Sequence, residues 1–99
     1  MIFHIIAQHD HETCPIAKSM EGDTSARPAS KWVEGNDKVK VLGAYAYPVS
    51  HRLFGVVESD TFEDVADLFR SHLGLGPVEV LPVTDAIQRR KDMGLWGSD

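Results

Sequence analysis

The chain has a single cysteine, few cations and no long apolar run, and each shortage excludes a class of protein. One cysteine among 99 residues rules out an internal disulfide and favours a reducing compartment. Ten Lys and Arg against fifteen Asp and Glu argue against a nucleic-acid backbone or an anionic membrane as a partner. No apolar run approaches the roughly 18 residues of a membrane span. Because Met1 leads directly into strand-like residues, we expect no signal peptide and a cytoplasmic location.

The apolar patterns predict four strands and three helical segments. We expect strands at residues 2–8, 38–47, 52–59 and 78–83, and helices at about 25–35, 61–73 and 85–93. Thr61 with Asp64 three residues later is typical of a capped helix start. The order β-α-β-β-α-β predicts an α+β sandwich over residues 1–84, followed by a C-terminal helix and tail over 85–99.

Such a sandwich leaves one face of its sheet uncovered. Helices pack on the other face, and the uncovered face carries apolar residues that need burial. A chain of 99 residues has little else with which to cover it. We therefore expect a homodimer that forms through the open sheet face.

The first fifteen residues and the element order together resemble a known superfamily. The opening strand Met1-Ile2-Phe3-His4, followed by His9 and Cys14-Pro15, is similar to that of an uncharacterised small-protein subgroup of the dimeric α/β-barrel superfamily. The resemblance implies a ferredoxin-like β-α-β-β-α-β sandwich of the dimeric α/β-barrel type. Members include cofactor-free monooxygenases, haem-degrading enzymes, isomerases and proteins with no known activity, so the fold does not select an activity.

Four of the five histidines and the cysteine are expected at one rim of this fold. His9, His11 and Cys14 follow the first strand, at the edge where the second and third strands turn. His51 lies in that turn, and His72 lies in the last turn of the second long helix. In a 4-1-3-2 antiparallel sheet, all of these positions fall at the same edge.

One hypothesis for this rim is a transition-metal site. His9, His11 and Cys14 follow one another on an extended segment, and His51 is the candidate for a fourth ligand. Imidazole and thiolate donors suit Zn²⁺ or copper, whereas hard cations prefer oxygen cages. The alternative is a solvated, histidine-rich loop beside a small buried thiol.

A second hypothesis is acid–base catalysis on a small molecule without a cofactor. His9 or His11 would act as the general base, and Tyr45, Tyr47 or Arg52 would stabilise an oxyanion. The resemblance implies a monooxygenase, isomerase or lyase as the type of reaction. A third hypothesis is a binding or regulatory module without catalysis.

Haem is the remaining cofactor to consider. Some relatives by fold ligate haem through a histidine on the second helix, and His72 is the candidate here. Its neighbours Phe69 and Leu73 belong to the apolar stripe of that helix, which favours a packed or C-capping histidine instead.

Overall fold

The protein is an α+β domain with a four-stranded antiparallel sheet. The computed structural model describes residues 1–10, 12–25 and 27–99. The strands are β1 (Ile2–Gln8), β2 (Val39–Tyr47), β3 (Arg52–Ser59) and β4 (Val78–Val83). The α-helices are α1 (Pro15–Met20), α2 (Phe62–Leu68), α3 (Arg70–Leu73) and α4 (Ala86–Asp92), and 3₁₀ helices span Arg27–Glu34 and Pro48–Ser50. The predicted α+β class and the four strands are confirmed.

The strands lie in the order β2-β3-β1-β4, and all neighbours are antiparallel. Residues alternate between the two faces of β1: Phe3, Ile5 and Ala7 are buried, whereas Ile2, His4 and Ile6 are only partly covered. The first set faces the helices and the second set faces the open side of the sheet. Since His9 follows two residues after Ala7 and is buried, it continues the helix-facing row.

The core lies between the sheet and the helices. Trp32 from the first 3₁₀ helix packs against Phe69, with 4.9 Å between the ring centroids. The indole also lies over Gly55, where an added Cβ would come within 3.0 Å of the ring. The remaining fully buried core residues are Phe3, Ile5, Val39, Val57 and Val65.

Two helical segments differ from the sequence-based expectation. The predicted helix over residues 61–73 is divided at Phe69, whose φ of −95° and ψ of 5° interrupt the regular turn between α2 and α3. The hydroxyl of Thr61 accepts a hydrogen bond from the backbone N–H of Asp64, so the predicted cap is confirmed. The segment expected at 25–35 is a 3₁₀ helix over Arg27–Glu34, followed by Gly35, whose φ of 69° suits glycine.

The C-terminal helix projects from the rest of the domain. Every residue from Leu81 to Asp99 is exposed, and α4 buries none of its side chains. The radius of gyration is 16.0 Å, against about 12.6 Å for a compact chain of this length. Among the described residues, no helix has the length and hydropathy that crossing a membrane requires.

Candidate metal centre

Three potential metal ligands meet at one end of the sheet. His9, Cys14 and His51 each offer a donor atom, and these atoms all lie within 4.8 Å of one another. The His9 and His51 rings pack edge to face with 5.2 Å between centroids, and His72 lies behind His9 at 6.1 Å. The proximity of these four residues, expected from the strand order, is therefore confirmed.

A backbone hydrogen bond joins the two histidine-bearing segments. The N–H of His9 donates to the carbonyl of His51 over 3.1 Å and extends the β1–β3 pairing beyond the last strand residue. His51 itself has a φ of 56° and a ψ of 40° and ends the 3₁₀ turn of the β2–β3 hairpin. Histidine is several-fold enriched among the non-glycine residues that adopt this left-handed conformation. The hairpin thus fixes the backbone of His51 beside that of His9.

A second set of hydrogen bonds places the cysteine. The side chain of Asp10 accepts from the N–H of Thr13 at 2.8 Å, which closes the loop after β1. The Thr13 hydroxyl donates to the carbonyl of Leu75 over 3.0 Å and joins this loop to the segment between α3 and β4. Cys14 follows as the N-cap residue of α1, and its side chain is buried. The hydrogen bonds from Thr13 also lower the pKa of Asp10.

The backbone beneath His9 is in close contact with Gly76. A Cβ on Gly76 would lie 2.0 Å from the carbonyl oxygen of Gln8 and 3.2 Å from the Cα of His9. Gln8 donates its N–H to the carbonyl of Pro77 at 3.0 Å. Its carbonyl lies 3.2 Å from Nε2 of His72, which must be the donor because a carbonyl only accepts.

The surroundings of His9 and His72 lower the pKa of both imidazoles and so favour their neutral forms. Burial lowers the pKa of His9, and the neighbouring His51 and His72 lower it further, against a smaller opposing effect of Asp10. Burial also lowers the pKa of His72, although its hydrogen bond to Gln8 acts in the other direction. Neutral imidazole is the form that binds a metal ion.

His9 has an unused coordinating atom. Its side chain is 9% exposed, and Nδ1 is buried without a hydrogen-bond partner among the described residues. Leaving a buried polar atom unpaired costs about 1–3 kcal/mol. A bound metal ion would provide the missing partner.

The structure brings together some of the site residues predicted from the sequence and places others elsewhere. His9, Cys14 and His51 form the centre, and His11 lies outside the described residues. Tyr45 does not join them, because it pairs with Phe54 on the open sheet face and is 67% exposed. The element order predicts which edge of the sheet a residue lies near, but it does not predict the face on which Tyr45 lies. That face depends on the register of β2 and on the irregularity between Val41 and Gly43.

Arg52, Tyr47 and His72 take different positions around this centre. Arg52 and Tyr47 pair across β2 and β3 and border a cavity that His9, Cys14 and His51 also line. The guanidinium of Arg52 itself lies on the open sheet face, 5.7 Å from the centroid of the Phe54 ring. His72 is almost fully buried, and Nε2, one of its two possible haem-ligating atoms, is engaged with the Gln8 carbonyl. This placement corresponds to a packed, hydrogen-bonded histidine.

Sequence reasoning missed the residues that support the centre. A glycine pair followed by Pro77 is typical of a helix C-cap, and Gly74 does occupy that position. The contact between Gly76 and Gln8 joins residues 68 positions apart in sequence, so no local pattern indicates it. For Thr13, the Asp10-x-x-Thr13 spacing was the available signal, because such pairs close short loops.

Comparison with known proteins identifies no matching family model, no matching curated protein and no matching solved structure.

Proposed function

We propose that this protein binds a transition-metal ion through His9, Cys14 and His51, with Zn²⁺ or copper as the metal. The observation that carries the proposal is the convergence of three nitrogen and sulfur donors within 4.8 Å at one end of the sheet. The buried, unpartnered Nδ1 of His9 supports it independently. Imidazole and thiolate ligands together select Zn²⁺ and copper over Mg²⁺ and Ca²⁺.

The spacing of the donors is close to that of a metal site. Ligand atoms at zinc bond lengths lie about 3.3–3.8 Å apart in a tetrahedron. Since the donor atoms lie within 4.8 Å of one another, they must approach by up to about 1.5 Å to reach these separations. Because hydrogen bonds fix the backbones of the loop and of the hairpin, this closing would have to come from rotation of the side chains.

Three protein ligands leave one tetrahedral position for water or another ligand. Structural zinc sites use four protein ligands, whereas catalytic sites use three and keep the fourth position open. The number of ligands among the described residues therefore favours a reactive or ligand-binding centre. His11 is a further candidate from the sequence, and its replacement tests whether it occupies that position.

For the fold and assembly, we propose a ferredoxin-like domain that dimerises through the open sheet face, in the manner of the dimeric α/β-barrel superfamily. Exposed apolar side chains on this face include Leu81 and Val83 from β4 and Tyr45 from β2. A seven-residue helix such as α4 is not stable alone in water. A second copy that covers both the sheet face and α4 would stabilise them together.

Acid–base catalysis without a metal is the second candidate function. The lowered pKa of His9 leaves a neutral imidazole at pH 7, beside a cavity that Arg52 also lines. His9 would remove a proton from a small molecule, and Arg52 would stabilise the resulting anion once its guanidinium turns away from the Phe54 ring on the open sheet face. The binding of metal with loss of affinity in Cys14→Ser separates the two candidates, because the base mechanism does not need the thiolate.

The test of the proposed function is metal binding by purified, tag-free protein. We expect one Zn²⁺ or copper ion per chain, and at least about a tenfold loss of affinity in Cys14→Ser and in His51→Asn. Asparagine tolerates the left-handed conformation of His51, so this variant keeps the hairpin. His4→Asn is the matched control, since His4 lies on the open sheet face away from the centre. Equal affinity in all three variants, or no binding at all, would refute the proposal.

A further inference from the structure

The carbonyl of Gln8, one residue before the proposed ligand His9, has no donor within the sheet. β1 and β4 pair with Ala7 opposite Val78, so the same register brings Pro77 opposite Gln8. Gln8 donates its N–H to the carbonyl of Pro77 over 3.0 Å, as in a hydrogen-bonded pair of an antiparallel ladder. The reciprocal bond cannot form, because proline has no backbone N–H. The carbonyl of Gln8 therefore needs a donor from outside β4.

His72 supplies that donor. Its Nε2 lies 3.2 Å from the carbonyl oxygen of Gln8 and donates the N–H. The His72 side chain is 1% exposed, so its surroundings hold the donor in one place. Because His72 belongs to α3, this hydrogen bond joins the helical layer to the end of β1.

The same peptide group is held on its other side by the β2–β3 hairpin. The carbonyl of Gln8 and the N–H of His9 belong to one planar peptide unit. This N–H donates to the carbonyl of His51 over 3.1 Å. His72, the peptide unit and His51 thus form a row of two hydrogen bonds, and bonds in such a row polarise one another. Rotation of the peptide plane would break both bonds at once.

The orientation of this plane determines the direction of the His9 side chain. The peptide unit ends at the Cα of His9, so a turn of the plane also moves the Cα–Cβ bond. The ring of His72 lies against that of His9 as well, with 6.1 Å between the centroids and 60° between the planes. His72 therefore contacts the backbone before His9 and the imidazole itself. A ligand held in this way loses less freedom when it binds a metal ion.

We propose that His72 is a positioning residue of the metal centre, whose hydrogen bond to Gln8 fixes the peptide that carries His9 and so directs that imidazole toward Cys14 and His51. The inference rests on the proposed metal site. His72 acts through His9, because the donor atoms that meet among the described residues belong to His9, Cys14 and His51. Partners that orient ligands in this way typically change metal affinity by about 10–100-fold.

Three variants of His72 separate its hydrogen bond from its bulk. His72→Phe keeps a flat ring but removes the donor, and His72→Leu is a second variant without a donor, in case phenylalanine reduces the folded fraction. His72→Gln restores an amide N–H on a side chain of similar reach. Val65→Ala is the matched control, because it also leaves a gap in the core. Its neighbour Asp64 pairs with Lys38 before β2, at the opposite end of that strand from the hairpin.

The experiment is a Zn²⁺ titration of the full-length protein, with urea unfolding to show that each variant is folded. His72→Phe and His72→Leu should bind zinc at least about tenfold more weakly than the unmodified protein. His72→Gln and Val65→Ala should stay within about threefold of it.

Amide hydrogen exchange in the metal-free protein tests the position of the peptide directly. In His72→Phe, the N–H of His9 should exchange at least about tenfold faster than in the unmodified protein, because its bond to His51 loosens. The N–H of Ile5, in the middle of β1, is the internal reference and should change no more than it does in Val65→Ala.

The possible outcomes distinguish the two proposals. Absence of zinc binding by the unmodified protein would overturn the metal site and with it the role of His72. Zinc binding with equal affinity in His72→Phe and His72→Leu would overturn the role of His72 alone. The same conclusion follows if His72→Gln loses as much affinity as His72→Leu, or if Val65→Ala does, because the donated hydrogen bond would then not be the cause.

Discussion

Replacing Gly76 with alanine tests whether the close contact beneath His9 positions the centre. The new Cβ would lie 2.0 Å from the carbonyl oxygen of Gln8, whereas carbon–oxygen contacts normally begin at about 3.3 Å. The two backbones must therefore separate by about 1.3 Å or more. Overpacking of this kind costs about 1–3 kcal/mol. Loss of the hydrogen bond between Gln8 and Pro77 adds about 0.5–1.5 kcal/mol, so we expect a destabilisation of about 1.5–4.5 kcal/mol in total.

The assay compares Gly76→Ala with Gly74→Ala in urea unfolding and in Zn²⁺ titration. Nothing lies within 4 Å of a Cβ on Gly74, and its φ of −69° suits alanine. Gly74→Ala should therefore be neutral or stabilise by up to about 1 kcal/mol. Gly76→Ala should lose stability and bind Zn²⁺ at least about tenfold more weakly, because His9 moves with Gln8. Equal stability and equal zinc affinity in the two variants would refute this explanation.

Four further predictions concern the hairpin, pH, the helix cap and the dimer. His51→Gly should bind Zn²⁺ at least about tenfold more weakly. Its free energy of unfolding in the apo form should stay equal or rise, since glycine fits a φ of 56°. Unchanged zinc affinity would exclude His51 as a ligand. The free energy of unfolding should fall as the pH drops below the ordinary histidine pKa of 6.5, because His72 binds a proton in the unfolded chain but resists protonation where it is buried in the folded one. This fall should be smaller in His72→Asn. Thr61→Ala should cost about 1 kcal/mol in urea unfolding through loss of the α2 cap. Leu81→Glu on the open sheet face should yield monomers by light scattering, whereas Val33→Glu, similarly exposed on the helical side, should not.

The sequence predicts the strands and the proximity of His9 and His51, because both depend on short-range patterns and on the direction of the chain. Apolar runs and turn residues locate β1 and β3 to the residue, and their order brings His9 and His51 to one edge. A strand has a strict period of two, so the sequence of β1 predicts that His4 and His9 lie on opposite faces of the sheet. Both faces of β1 are apolar in sequence, and only the structure shows that the row of Phe3, Ile5 and Ala7 packs on the helices.

The fine geometry of the centre depends on contacts between distant parts of the chain. The interruption at Phe69 occurs where its ring packs against Trp32, a contact between distant residues that the continuous helical pattern of residues 61–73 does not indicate. The close approach of Gly76 to Gln8 likewise appears only once β1 and β4 are paired. Tyr45 lies on the open face because of the register between β2 and β3, which the sequence pattern does not determine.

The most direct test of the metal centre is an anomalous difference map from crystals of protein loaded with Zn²⁺ or copper, recorded at the absorption edge of that metal. The account predicts a single strong peak at about 2.0–2.3 Å from nitrogen atoms of His9 and His51 and from Sγ of Cys14. No peak at this position, or a peak bound only by exposed carboxylates elsewhere on the surface, would contradict it.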